Sequence, residues 1–371
     1  MQKSLLDSKR FGLDIHRATP KEFNLNELKK YIYKEKVDIL FLRLESSIKD
    51  RHSALNALGF PFIHCDTLVY YECNLDNYHP KQLKNVLKFE EVSSRNIELI
   101  SNIVQKIFVD YKNHYTTNYL LDKKSIIDGY VEWAKNYVSD KGAGRISWLV
   151  RNDRGELLGF ATCSFDTENG QCEGILYGVL PEKSGGGIYG DLIRFTQTYF
   201  KSMGLKKMLV STQVQNFAVQ KVWTRESFYM SKSYDTYHIN SFLGKKKSNY
   251  ETTIRIETSE IDRFGEFTGD KNPLHFDDMF AKQKGFKSRI VHGIKFELEL
   301  TRILGTEWPG DGTIILSNKV VFNSPIYPSY DYKFSINAIH QKSSGLMELV
   351  TILADNNDEI AIVAYTNILK R

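Results

Sequence analysis

Long apolar runs are missing from this chain. No stretch approaches the roughly twenty residues that a membrane-spanning helix requires, and the opening segment MQKSLLDSKR holds no apolar signal segment. The cytoplasm is the expected compartment, with no membrane partner. Cysteine is scarce. The four present, Cys65, Cys73, Cys163 and Cys172, lack metal-site spacing and sit in apolar or strand-like stretches, which points to reduced thiols and no bound metal. An excess of one charge is absent too: 50 Lys and Arg against 45 Asp and Glu leave a net +5. Lys245-Lys246-Lys247 is the one compact basic block, so nucleic acid is not an expected partner. What remains, 42% hydrophobic and 26% charged residues over 371 positions, is ordinary for a globular protein. The length allows more than one domain, each with its own core.

Residues 1–80 read as a small α/β unit. FNLNELKKYIYKEK has apolar residues at helical spacing, with Asn24 or Asn26 as cap. VDILFLRLE is a strand apolar on both faces. SSIKDRHSALNALGF reads as a helix ended by Gly59, since glycine tolerates the left-handed backbone. DTLVYYECNL is another strand. This unit holds no catalytic cluster. Arg43 either meets an anion or is simply solvated or ion-paired.

Residues 81–243 show helices around 95–108 and 124–137, the second with Trp133 and Tyr137 on one face. Two strands follow, joined by the hairpin signal Asp153-Arg154-Gly155, and then a third, CEGILYGVLP. A glycine cluster, Ser184-Gly185-Gly186-Gly187-Ile188-Tyr189-Gly190, opens a long helix. Glycines let the backbone approach a ligand, and the helix start offers unpaired N–H groups to a pyrophosphate. A plain strand–helix turn is the alternative. A further strand ending at Asn216 and a helix over 217–226 come next.

This order resembles the GNAT acyltransferases. Val179-Leu180-Pro181, Ser184–Gly190, Asn216, Val222-Trp223 and Ser227-Phe228 stand at the family's strand end, glycine turn, asparagine and closing aromatic positions. The likeness is greatest to the branch that acylates nucleotide-linked amino sugars, of the TDP-fucosamine acetyltransferase kind. That branch carries an N-terminal α/β extension, matched here by Asp38–Arg43 and Leu55–Phe60, and Asp235-Thr236-Tyr237-His238 is similar to a run in 4-amino-sugar acyltransferases. The resemblance implies acyl-CoA as substrate, CoA as product and no permanently bound cofactor. Val179, Ser184, Gly185, Gly186, Gly187, Ile188, Tyr189, Gly190 and Asn216 would contact the CoA. Trp223 stands where a tyrosine often acts as general acid, and indole cannot protonate a thiolate. Tyr229 and His238 are the nearby acids, Glu173 or His238 the bases; each has a solvated or structural role as its alternative.

Residues 244–251 have no apolar face and read as a linker. From 252 onward come an alternating strand, a short helix over 259–267 capped by Ser259, a turn, a long apolar helix over 291–304 and four strand-like runs. One long helix wrapped by an antiparallel sheet is the hot-dog arrangement, so the fold class is α/β plus α+β. In the turn, Asp270 and His275 stand five residues apart across a non-helical bend at Asn272–Pro273, and His292–Gly293 follows. An acid and an imidazole on a rigid turn, beside an exposed N–H, suit proton transfer next to a thioester.

Phe264, Thr268-Gly269-Asp270, Asn272-Pro273-Leu274-His275, Asp277, Phe280-Ala281 and Ile290-Val291-His292-Gly293 resemble the MaoC-type (R)-specific enoyl-CoA hydratases. Trp308-Pro309-Gly310, Phe322 and Pro325 match as well. The resemblance implies that Asp270 and His275 activate the water that attacks C3. It also implies that the Gly293 N–H polarises the thioester, that Asn272 orients the turn or the water, and that a homodimer forms through the sheets. His292 stays open between a structural and a chemical role. Together the two resemblances imply a bifunctional enzyme. It would hydrate an enoyl-CoA such as crotonyl-CoA and pass the (R)-3-hydroxyacyl group to the amine of a dTDP-linked amino-deoxy sugar, for surface polysaccharide (O-antigen) synthesis. Plain acetyl transfer beside a separately acting or non-catalytic hot-dog module competes with that reading. So does a non-catalytic, sensing middle domain, which Trp223 allows.

Overall fold

The structure, a computed structural model, describes residues 1–140, 142–244 and 248–371. Of the expected linker 244–251 and its lysine block, residues 245–247 lie outside the described residues. The chain divides into two compact units: 1–23, 41–50 and 62–238 form the first, and 24–40, 51–61 and 239–371 the second. Among the described residues no helix is long and apolar enough to cross a membrane.

A ten-stranded sheet runs through the first unit. In chain order its strands are β1 (Gln2–Lys3), β2 (Ile15–Ala18), β3 (Ile39–Glu45), β4 (Phe62–Asn74), β5 (Leu87–Glu91), β6 (Arg145–Asn152), β7 (Leu157–Asp166), β8 (Gln171–Val179), β9 (Lys207–Gln213) and β10 (Tyr229–Asn240). They lie in the order β1-β2-β3-β10-β4-β9-β8-β7-β6-β5. The one pairing that shapes the site is β8 with β9. They run parallel and pair only from Gln171–Gly174 to Lys207–Val210. Beyond that the strands part, and their backbone groups on the facing edges are left for a ligand or water. The helix Ile188–Ser202 covers the sheet through Leu192, Ile193 and Phe200, all fully buried, in one core with Trp148, Val150 and Met208.

The helices Leu25–Lys34 and Arg51–Leu58 belong to the second unit. Asn24 caps the first, its side chain accepting from the N–H groups of Asn26 and Glu27. Gly59 ends the second at φ +92°, and a Cβ there would stand 2.9 Å from Val321 Cγ1. Two independent constraints, backbone sign and close approach, therefore select glycine. Phe60 then packs edge-on against Tyr365, ring centroids 6.4 Å apart.

The rest of the second unit is a five-stranded antiparallel sheet. It comprises β11 (Tyr250–Arg255), β12 (Thr313–Phe322), β13 (Asp331–Gln341), β14 (Leu346–Ala354) and β15 (Ile360–Lys370), in the order β11-β13-β14-β15-β12. The helix Gly293–Thr306 buries Phe296, Leu300, Ile303 and Leu304, one stripe at helical period. They share a core with Phe334, Ile336, Leu349, Ile362 and Ile368 from the sheet. Burying each such side chain contributes about 1.5–3 kcal/mol. This is the hot-dog arrangement. Two local expectations change. The helix expected over 259–267 spans Thr258–Thr268, and Ser259 does not cap it. Glu257 does, its N–H donating to Glu260 Oε2 at 2.9 Å, because a carboxylate three residues on reaches back to the orphan donor. The bend at Pro273 is itself one 3₁₀ turn, Pro273–His275.

Candidate active sites

In the second unit the helix Thr258–Thr268 stops at Gly269, left-handed at φ +76°, and throws Asp270 out of helical register. The chain then folds back. The Asn272 N–H donates to Asp270 Oδ1 at 3.0 Å, and Asn272 Oδ1 accepts from the Leu274 N–H at 3.2 Å. Two bonds pin this turn to the segment before the long helix. The Ile290 N–H donates to the Leu274 carbonyl at 2.9 Å, and His275 Nδ1 donates to the Ile290 carbonyl at 2.8 Å. A carbonyl only accepts, so Nδ1 carries a proton, and in the neutral ring this leaves Nε2 as the nitrogen with the lone pair.

His292 enters this site. It is buried and stacks on His275, with centroids 3.8 Å apart at 25°. Its Nε2 lies 3.6 Å from Asp270 Oδ2, and neither ring nitrogen has a hydrogen-bond partner among the described residues. One side-chain atom each of Asp270, His275 and His292 lie within 4.8 Å of one another. These are metal-ligand residue types. An ion must however lie in the plane of each ring it binds, and two nearly parallel stacked planes do not meet at bonding distance. The set suits proton transfer. The backbone N–H of Asn272 holds the Asp270 carboxyl below its ordinary range, with His292 and His275 adding to the effect. Burial, then the neighbouring His275, push His292 down toward the neutral form. Gly293 opens the long helix, and its N–H is among the start donors without an intrahelical acceptor. A Cβ there would come within 2.8 Å of the Phe322 ring.

In the first unit a cavity of about 460 Å³ opens where β8 and β9 part. Gly174–Tyr177 line one wall and Ser211–Gln213 the other, with Glu173, Tyr189, Asn216 and Trp223 around them. Beside it, Gly185 and Gly187 take φ +89° and +86°, and a Cβ on Gly185 or Gly186 would meet nothing within 4 Å. Gly187 caps the helix Ile188–Ser202. The loop is braced from behind. Buried Asp191 accepts from the Lys84 and Asn85 N–H groups at 2.8 and 2.9 Å, and Asn85 Nδ2 donates to the Gly186 carbonyl at 3.1 Å. Ser184 Oγ is turned back onto the Pro181 carbonyl, 2.7 Å away. Open space above left-handed glycines at a helix start is what a pyrophosphate needs.

The residues expected to carry acyl transfer separate here. Glu173 lines the cavity, and burial raises its carboxyl pKa while Lys232 opposes the shift. Tyr229 is 58% exposed and is not among the cavity-lining residues. His238 is fully buried behind the cavity wall. Asn118 Oδ1 accepts from the Leu120 N–H at 3.3 Å, so its amide nitrogen faces His238 Nδ1 at 3.1 Å. His238 Nε2 must then donate to His114 Nδ1, 2.8 Å away. Both nitrogens are spent, and burial pushes the His238 pKa down to about 3. His114 is the member of this pair that lines the cavity, as do Arg17, Arg43 and Tyr70. Trp223 is buried there, against the hydroxyl of Tyr189, which burial raises and the indole N–H lowers.

Comparison with known proteins bears on both units. Residues 107–228 match the family described as the acetyltransferase (GNAT) family, and residues 242–353 match the MaoC like domain. The chain is 37% identical over 71 residues to 3-hydroxybutyryl-CoA dehydratase of Methylorubrum extorquens, covering 19% of this chain and 45% of that protein. It is 30% identical over 116 residues to the mitochondrial 3-hydroxyacyl-[acyl-carrier-protein] dehydratase of Arabidopsis thaliana, covering 30% and 68%. Over 73 residues it is 34% identical to the (R)-specific enoyl-CoA hydratase of Aeromonas caviae, covering 20% and 54%. It thus spans about half the length of the two bacterial relatives. The chain joins a domain of the acetyltransferase (GNAT) family to a MaoC like domain, and through the latter it belongs to the MaoC-like family.

Proposed function

We propose that the hydratase domain adds water to an enoyl-CoA, crotonyl-CoA in the simplest case, to give the (R)-3-hydroxyacyl-CoA. The observation that carries this is the free Nε2 of His275, fixed by the Nδ1–Ile290 bond beside the ionised Asp270. One water held between them donates to both. As its oxygen bonds to C3, the π pair moves toward the thioester carbonyl, where the Gly293 N–H meets the growing enolate charge. The proton the water sheds passes to the Asp270–His275 pair and from there to C2, so the elements of one water are added. His292, stacked and kept neutral, holds the His275 ring. The names of the Methylorubrum and Aeromonas relatives, a 3-hydroxybutyryl-CoA dehydratase and an (R)-specific enoyl-CoA hydratase, favour this substrate class and stereochemistry.

The acyltransferase domain then passes the hydroxyacyl group from CoA to the amine of a dTDP-linked amino-deoxy sugar for surface polysaccharide. CoA lies on Val179, Ser184–Gly190 and Asn216, with its thioester in the parting of β8 and β9. Glu173, whose pKa burial raises, is the base that takes the amine proton. The N–C bond forms as the C–S bond breaks. The pair of activities in one chain supports a shared thioester. Four free cysteines fit a reducing cytoplasm. Exposed apolar side chains on the hot-dog unit, Ile294 and Leu298 on the helix and Ile314 and Leu316 on edge strand β12, favour a homodimer that covers them. Incubation with crotonyl-CoA and a dTDP-4-amino sugar tests the coupled activity: transfer of acetyl from acetyl-CoA, but never of the hydrated acyl group, contradicts it.

A further inference from the structure

The cavity of the first unit holds three arginines, and their situations differ. Arg10 donates to Asp7 Oδ1 at 3.5 Å and to Glu132 Oε2 at 2.9 Å. Arg17 donates to Asp7 Oδ2 at 2.7 Å and to the Tyr115 hydroxyl. Arg43 makes no hydrogen bond and no ion pair among the described residues, yet it is half-buried and lines the same cavity. It is the one charged residue within the apolar run Ile39–Leu44 of β3. Partial burial of a guanidinium without a bonded counter-ion is unfavourable. Its five N–H groups form a planar fork that fits a carboxylate or phosphate.

Two carboxyls, Asp66 and Glu173, form no ion pair among the described residues. Asp66 is buried, and burial raises its pKa against the pull of Arg43; it forms no ion pair with Arg43. Tyr70 is on β4, which lies between β3 and the β8 of Glu173 in the sheet; the pKa of its hydroxyl is raised first by burial, lowered by Arg43 and raised by Glu173. The cavity thus presents an unpaired carboxyl and an unbonded guanidinium with a tyrosine between them. In the sheet order β3-β10-β4-β9-β8 its strand is four spacings from β8, roughly 19 Å at about 4.8 Å per strand, and β8 carries Glu173 and leads into the glycine loop.

We propose that Arg43 is the anion-binding residue of the acyl-acceptor subsite, holding the diphosphate of a nucleotide-linked amino sugar while the sugar amine lies at Glu173. This rests on the acceptor reading given under Proposed function, and it names the residue that selects a charged acceptor over a neutral one. A carboxylate offers the same fork-to-oxyanion chemistry, so the test carries both anions.

Binding of dTDP, thymidine, malonate and CoA is measured by calorimetry on the 371-residue chain, on Arg43→Gln and on Arg43→Lys. A charge-assisted contact of this kind predicts dTDP binding weakened on the order of 10- to 100-fold in Arg43→Gln. Arg43→Lys, which keeps the charge without the fork, falls between. Thymidine and CoA bind all three proteins alike, which a merely structural role for Arg43 would not produce. Equal dTDP affinity for the wild type and Arg43→Gln overturns the proposal. So does a loss in both variants that extends to uncharged thymidine, or a wild type that binds neither anion. Malonate held through Arg43 without dTDP supports the anion subsite and refutes the nucleotide-linked acceptor, so the two readings fail separately.

Discussion

Asp270→Asn isolates the charge of the proposed hydration site. The side chain is 43% exposed, and the amide keeps the shape of the carboxyl, so the Asn272 N–H retains its acceptor at Oδ1. What changes is the second oxygen, 3.6 Å from His292 Nε2, which becomes an N–H donor where the water needs an acceptor. Removing a positioned base of this kind slows proton transfer about 100- to 10,000-fold. Stability moves little, by about 2 °C or less, because the site is at the surface. The sign of the pH effect follows from the lowered pKa. Any stability from the carboxylate is present above its unfolded pKa and is lost as pH falls through the lower folded value, so the variant differs from the wild type in stability only at the neutral side of that fall. The assay is the disappearance of the conjugated enoyl thioester absorbance of crotonyl-CoA, with acetyl transfer measured in parallel to show an intact acyltransferase domain. A variant that hydrates crotonyl-CoA as fast as the wild type refutes the role given to Asp270.

Three further outcomes are expected. Glu173→Gln should abolish acyl transfer while raising the thermal midpoint slightly at neutral pH, by about 2 °C. A carboxyl whose folded pKa is raised by burial contributes stability at low pH that is lost as pH rises through the folded pKa, and the amide escapes that loss. His238→Leu removes the ring that bonds both His114 Nδ1 and the Asn118 amide, which should cost about 2–4 kcal/mol in denaturant melts. The acidic limb of the acyl-transfer pH profile should keep its position, since His238 stays neutral down to about pH 3. The double change Leu298→Glu with Ile314→Lys should convert a dimer into monomers on size-exclusion chromatography without unfolding either domain.

Local signals were readable from the chain; pairings across it were not. The turn from Gly269 to His275 could be read because its acid, asparagine, proline and imidazole act within six positions, and short-range spacing dictates their geometry. The glycine loop was legible for the same reason. His292 was left open, because its stacking on His275 depends on the Ile290 carbonyl and Leu274 holding two segments together. The acyltransferase chemistry suffered most. His238 lies within β10 and by sequence is a candidate acid or base, but its two nitrogens are taken by residues 120 or more positions away. Arg43 reads as a lone basic residue until the fold brings it to the same cavity as Glu173. The helices Leu25–Lys34 and Arg51–Leu58 were visible by period, but periodicity says nothing of which unit receives their apolar faces.

The central claim is that one chain makes the acyl group it transfers. Its most direct test is mass spectrometry of the sugar product after incubation with crotonyl-CoA and a dTDP-4-amino sugar in heavy-oxygen water. The account predicts a 3-hydroxybutanoyl amide with the heavy oxygen in its hydroxyl group, lost in Asp270→Asn. A product that carries only an unhydrated crotonyl group, or no acylated sugar at all while hydration proceeds, would contradict it.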